Sequence, residues 1–297
     1  VYVVLLPAMG IVAEVMTTFS RKKLFGYRTI IYTVIATGVL SFFVWAHHQF
    51  IAGIDPRMAN VFTVTTVIIS IPIGEMLFLY IATLYGGSIR LTTPMLWALA
   101  FIAEFLIGGV TGIYLGSSGA DIYLHDTYFV VAHFHYTFVP IAVLAVFAGI
   151  TCWFPKMFGK MMNETLGKIH FTLTFIFFNG TFFPMHILGV GGHMRRIANP
   201  TYYEFLQPLQ HWNVFITVSA FLLGVSQLIF VVNFFMSLAS GRKAAQNPWN
   251  ANTLEWCAAP TPPPHGNFPG DLPVVYRGPY EYSSPEVTED WLPQNRN

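Results

Sequence analysis

The sequence predicts an all-α, polytopic transmembrane helical bundle, on three observations. Apolar residues make up 54% of the 297 positions and charged residues only 10%, against roughly 25% charged in an average soluble domain. Seven stretches stay apolar over about the 20 residues that a helix needs to cross about 30 Å of hydrocarbon. The few charges fall largely between those stretches, with 11 Lys/Arg and 8 Asp/Glu in residues 1–240. A net charge of +1 leaves no basic surplus to neutralise phosphates, which excludes a nucleic-acid binder. Cys152 and Cys257 are too few for a disulfide scaffold and lack metal-ligand spacing.

Taken in order, the first apolar stretch is 3–19. It opens Val-Tyr-Val-Val-Leu-Leu without Met, polar flank or signal-peptide n-region. The expectation is a helix cut in its middle, and a chain that is the C-terminal part of a longer subunit. Six complete spans follow at 28–50, 58–85, 93–115, 127–154, 167–188 and 211–239. The last 57 residues change character, holding 10 of the 19 prolines. The stretch Pro-Thr-Pro-Pro-Pro-His cannot continue a helix, because proline lacks the N–H donor and clashes with the preceding turn. The chain therefore divides into a membrane body, 1–240, and a Pro-rich tail, 241–297, expected to lie on the membrane surface or on a partner subunit.

Lys/Arg bias in the loops sets orientation. One set of alternate loops contains Arg21, Lys22, Lys23, Arg28, Arg90, Lys156, Lys160, Lys168, Arg242 and Lys243. The other contains only Arg57, Arg195 and Arg196. The first set, and the tail with it, is expected on the cytoplasmic or matrix side. The adjacent Arg195 and Arg196 break the rule, as topogenic noise or as cations held to bind anions.

Ionisable side chains inside spans are expensive and point to function. The densest group is His125-Asp126-Thr-Tyr-Phe-Val-Val-Ala-His133-Phe134-His135. His133 and His135 stand about 200° apart around a helix, so one helix presents an imidazole to each of two opposite neighbours. Imidazole is the commonest metal ligand, which suggests two metal or haem sites flanking one helix. The second group is Trp45-Ala-His47-His48, near the outer end of its span. Adjacent histidines lie about 100° apart, so joint ligation of one metal is allowed but not forced. A nitrogen-only set suits copper or iron better than a thiolate zinc centre.

With these groups in hand, Trp45–His48, His125–Tyr136, Thr181–Gly189 and Met194–Arg196 resemble subunit I of the haem–copper cytochrome c oxidases. Val1-Tyr2 is similar to the end of that family's His-Pro-Glu-Val-Tyr motif, and the likeness extends to Asn252–Trp256. It corresponds to about seven of the family's twelve helices, the first truncated. The resemblance implies that His47 and His48 are copper ligands, and that Tyr2 donates a proton and an electron to oxygen. It implies His133 as the high-spin haem ligand, His135 as the low-spin haem ligand, and Phe134 between the two haems. His125 and Asp126 would bind magnesium, and Arg195 and Arg196 would pair the haem propionates. The implied activity is reduction of oxygen to water with electrons from cytochrome c, coupled to proton translocation. The implied partners are the N-terminal part of the same subunit, a subunit II carrying a dicopper centre, a subunit III, and membrane lipid. A bacterial plasma membrane is favoured over a mitochondrial inner membrane.

The sequence departs from the family at the inner proton pathway. Where the family has a motif like Ile-Pro-Thr-Gly-Val-Lys, this chain has Ile71-Pro72-Ile73-Gly74-Glu75-Met76, and Ala13 stands at an expected serine. Glu14, Glu75 and Glu104 are expected to form a replacement proton route towards Tyr2. Glu75 and Glu104 both lie about 15–17 Å deep, so neighbouring helices could pair them. The competing classes are a nitric oxide reductase with iron at the copper position, a membrane cytochrome that only passes electrons, and a proton-relay transporter.

Overall fold

The computed structural model describes all 297 residues, with eleven α-helices and no β-strand. Seven helical stretches are long and apolar enough to span a membrane: Tyr2–Ser20, Tyr27–Gln49, Pro56–Leu84, Thr93–Gly116, Tyr128–Phe158, Glu164–Val190 and Glu204–Ser240. These match the seven apolar stretches of the sequence to within a few residues at most ends.

Proline explains two of the places where the spans are not plain α-helix, at Pro72 and Pro140. Helix α1 is Tyr2–Ser20, and α2 runs Tyr27–Leu40 before tightening into 3-10 turns at Ser41–Phe43 and Trp45–Gln49. The third span divides into α3, Pro56–Ile68, and α4, Ser70–Leu84. Asp55 caps α3 by accepting from the Arg57 amide, with Pro56 at the first helical position. Pro72 cannot donate to Ile68, and the break falls at Ile69. Helix α5 is Thr93–Gly116, and the short α6, Ser118–Leu124, leads into α7, Tyr128–Val139. Pro140, lacking a donor, opens a π turn at Pro140–Leu144 before α8, Ala145–Phe158. Helix α9, Glu164–Val190, is capped by Asn163, whose side chain accepts from the Leu166 amide. Helix α10 is Gln210–Ser240, and α11 is one turn, Leu254–Cys257.

The core lies among α1, α4, α5 and α8, in one cluster of 28 buried apolar residues. Met76 and Ala13 are both members and Ile73 packs against it, so the polar groups missing from the sequence are replaced by continuous apolar packing. A smaller cluster of Ala132, Met185, Leu188 and Ile216 joins α7, α9 and α10.

Alternation of the helices gives the bundle two ends. The tail end carries Arg21, Arg90, Lys156 and Lys160, and residues 241–297 are docked there on the chain's own helices. The tail is irregular, as its prolines require, yet it is anchored. Trp256 is 1% exposed and belongs to the core, and the Trp249 indole donates to the Cys152 carbonyl at 2.9 Å. Lys156 Nζ donates to the carbonyls of Ala259 and Pro260 and to Thr261 Oγ1. Arg21 adopts φ 56°, is fully buried, and forks onto both carboxylate oxygens of Asp290 at 2.9 Å. Anchors of this kind favour the chain's own helix ends over loose attachment to a lipid surface.

Candidate metal and haem centre

The histidines gather at the opposite end. A cavity of about 700 Å³ there is lined by Tyr2, His47, His48, His125, Asp126, His133, Phe134 and Arg195. Residues separated by as many as 193 positions in the chain thus share one space, whose size lies within the range of cofactor pockets.

Helix α7 presents its two histidines as their spacing predicts. His133 points towards α5, where its Nδ1 lies 3.0 Å from the Gly108 carbonyl and 3.2 Å from Thr111 Oγ1. His135 points towards α9, with Nδ1 2.8 Å from the Val131 carbonyl and its ring stacked 3.8 Å from Phe182. A carbonyl beside Nδ1 fixes the tautomer that carries the proton there and leaves Nε2 free as an acceptor. Glycine permits the close approach on α5. A Cβ at Gly112 would stand 2.9 Å from His133 Cε1, and one at Gly108 would stand 2.5 Å from the Tyr136 carbonyl oxygen. Phe134 lies between the two sites, lining the cavity of His133 while its ring sits 4.3 Å from that of His135.

The 3-10 turn at Trp45–Gln49 resolves what the sequence left open. His47 Nε2 and His48 Nε2 are 3.0 Å apart, and His47 Nδ1 is held by Thr66 Oγ1 at 3.1 Å. Two nitrogens at this separation fit adjacent positions on one metal at about 2.0 Å from each, with an angle near ~97°. Two imidazole nitrogens side by side in a cavity faced by a third imidazole, His133, fit a metal and a haem. No group of three or more His, Cys, Asp or Glu converges within this chain, and His47 and His48 stand as a pair.

His125 and Asp126 diverge. His125 Nδ1 is 3.0 Å from Asp121 Oδ2, a carboxylate one turn earlier whose i, i+4 spacing was available to sequence reading. Asp126 instead accepts from Arg195 Nε at 2.8 Å, with Arg196 3.8 Å away. Burial opposes the charge on Asp126, but the Arg195 hydrogen bond and the two guanidinium charges outweigh it and hold the carboxyl below its ordinary value. Burial raises the Asp121 carboxyl, with the His125 contact acting against it. Thr66, Gly108, Thr111 and Asp121 are therefore site residues that the motifs themselves did not reveal.

The three glutamates do not come together. Glu75 is exposed on α4, whereas Glu104 on α5 is 1% exposed and accepts from Asn179 Nδ2 at 2.6 Å. Their equal depth is not matched by a shared environment, since one is exposed and the other enclosed. Glu14 lies under the tail, where the Tyr280 hydroxyl donates to it at 2.9 Å.

Comparison with known proteins agrees with this geometry. Residues 1–222 match the family described as Cytochrome C and Quinol oxidase polypeptide I. The alternative cytochrome c oxidase subunit 1 of Bradyrhizobium diazoefficiens is 45% identical over 297 residues, covering 100% of this chain and 50% of the relative. Cytochrome c oxidase subunit 1 of Synechocystis is 47% identical over 95% of this chain and 50% of the relative. Quinol oxidase subunit 1 of Bacillus subtilis is 46% identical over 90% of this chain and 41% of the relative. A solved heme-copper terminal oxidase dimer shares the fold, with TM-score 0.73 at 20% identity over 81% of this chain and 47% of that one. The helices and converging imidazoles thus define a polytopic membrane protein of the haem–copper oxidase class. Within that class, the chain belongs to the cytochrome c and quinol oxidase polypeptide I family. It spans about half the length of the curated relatives it matches.

Proposed function

We propose that the chain is the part of a terminal oxidase's catalytic subunit that carries its oxygen-reducing centre. In this reading it reduces oxygen to water with electrons from cytochrome c and couples the reaction to proton translocation. The observation that carries the reading is the His47–His48 nitrogen pair, 3.0 Å apart, in the same cavity as His133 and Tyr2.

His47 and His48 supply two copper ligands, and the N-terminal part of the same subunit completes the set. His133 binds a high-spin haem and His135 a low-spin haem, with Phe134 between them. Bound there, the haems and copper supply one-electron transfer and oxygen chemistry. The chain's own residues hold and protonate. Thr66 and the Gly108 carbonyl fix the imidazoles of His47 and His133, which keeps the metal-facing nitrogens free. Tyr2 brings an O–H to the cavity as proton donor. Arg195 and Arg196 pair the haem propionates, a reading supported by the Arg195 guanidinium donating to the Asp126 carboxylate at the cavity. His125 and Asp126 hold magnesium through one donor each, with water completing the preferred octahedron. Of the three glutamates, Glu14 suits a proton route best, since it shares α1 with Tyr2 at about 18 Å along the helix axis.

The working partners are a subunit II with a dicopper centre, a subunit III and the surrounding lipid. The membrane is a bacterial plasma membrane with the tail on the cytoplasmic side. Metal and haem analysis of the intact purified complex tests the reading. Copper with two haems is expected, and His47→Asn should lose copper while both haems remain. Two haems without copper would indicate an electron carrier. Iron in place of the copper would indicate a nitric oxide reductase, and no haem at all a transporter.

A further inference from the structure

Glu104 is buried at the junction of α5, α7 and α9 and takes no part in the site described above. Its Oε1 accepts from Asn179 Nδ2 at 2.6 Å, while its Oε2 has no partner. Asn179 Oδ1 in turn accepts from the Tyr136 hydroxyl at 2.7 Å, and Tyr136 is fully buried. A side-chain amide has one acceptor end and one donor end, so which way it points depends on what faces it. Two acceptors take the donor end of Asn179, Glu104 Oε1 and the Phe175 carbonyl one turn back on α9 at 2.9 Å, and this turns the carbonyl end towards Tyr136. Glu104 is the contact that ties the amide to α5; without it the amide is held in this sense by its own helix alone.

The chain of contacts continues to a histidine. The Tyr136 ring meets Phe178 edge-on at 5.1 Å, Phe178 packs on Phe182 at 5.0 Å, and Phe182 stacks on His135 at 3.8 Å and 17°. The His135 ring is held at its edge by the Val131 carbonyl and on its face by this stack, whose far end is fixed by the Tyr136 hydroxyl. Directly beyond Tyr136 the helix loses its regular hydrogen bonding at the Pro140 π turn, so the backbone alone holds this end of α7 less firmly.

We propose that Glu104 is a positioning residue for His135, acting through Asn179, Tyr136 and the Phe178–Phe182 stack. The proposal rests on the reading of His135 as a low-spin haem ligand. The plane of an axial imidazole is one of the protein's levers on a haem's electronic state.

The test uses the intact complex with its haems, comparing wild type with Glu104→Leu, Glu104→Gln and Tyr136→Phe. The readout is the electron paramagnetic resonance g-values of the low-spin ferric haem, which follow the axial imidazole planes, together with its optical absorption maximum. Glu104→Leu should shift both with haem content unchanged. Glu104→Gln keeps an acceptor for Asn179 and should restore the wild-type values. Tyr136→Phe removes a single oxygen and should reproduce the Leu spectrum, and it carries the test alone should the Leu variant fail to assemble. A low-spin haem with wild-type spectra in both Glu104→Leu and Tyr136→Phe, or in Tyr136→Phe alone where the Leu variant does not assemble, overturns the proposal and leaves the site reading intact. A wild-type complex without low-spin haem overturns both.

Discussion

Arg21 and Asp290 show how far a single pair can organise a chain of this kind. The guanidinium is fully buried and also donates to the carbonyls of Thr18, Trp249 and Asn250, while Arg90 approaches Asp290 from the other side. Arg21 is buried but Asp290 is 35% exposed, so removing the carboxylate costs about 1–3 kcal/mol, the usual range for losing a charged hydrogen-bond partner. Asp290→Asn should therefore release the end of the tail, read as faster limited proteolysis after residue 240 with helix content unchanged. The hydrogen bond and charge of Arg21 hold the Asp290 carboxyl below its ordinary value. A depressed carboxyl contributes its full stability above the unfolded value, about 3.9, and loses it as the pH falls through the lower folded value. Tail release in wild type should accordingly set in only in strong acid, and the Asn variant should show no such acid step from this group. Proteolysis rates measured across pH check both expectations.

At the scale of elements, close helix contact places the site. Helices α5 and α7 meet where Gly108 faces the Tyr136 carbonyl, and this is also where the Gly108 oxygen receives His133. An added methyl would lie 2.5 Å from the Tyr136 carbonyl oxygen, far inside van der Waals contact and against backbone that cannot rotate away. Gly108→Ala should cost about 1–3 kcal/mol, the usual range for overpacking. It should also tilt His133, read as a lower thermal midpoint and a reduced yield of the haem held there. Much of this scale was legible beforehand. Hydropathy located all seven spans, and a two-residue spacing put His133 and His135 on opposite faces of α7. Less legible was anything that depends on backbone departing from the α-helix. The His47–His48 contact is made on a 3-10 turn, which no α-helical wheel shows. The expected Glu75–Glu104 pairing rested on depth alone, and depth along a helix says nothing of the face on which a side chain leaves. Thr66 and Gly108 carry no motif of their own, and only the fold shows that each holds a histidine.

For the whole molecule, the distribution of cations becomes a statement about sidedness. Ten Lys/Arg of the body and its junction fall at the end where the tail docks, and three at the end that holds the histidine cavity. One of those three, Arg195, is engaged with Asp126 at the cavity. The positive-inside bias then orients the entire bundle. Two exposed positions report the two ends, Tyr202 beside the cavity end and Leu272 in the tail, at 83% and 80% exposure. The native thiols interfere little, because Cys152 is buried and Cys257 half-buried. In intact cells, a membrane-impermeant thiol reagent should label Tyr202→Cys and spare Leu272→Cys. Permeabilised cells should label both. Labelling of Leu272→Cys alone in intact cells would reverse the orientation and put the histidine cavity on the inner side. Equal labelling of both would mean that the tail and the cavity share one face, which the alternation of seven spans does not allow.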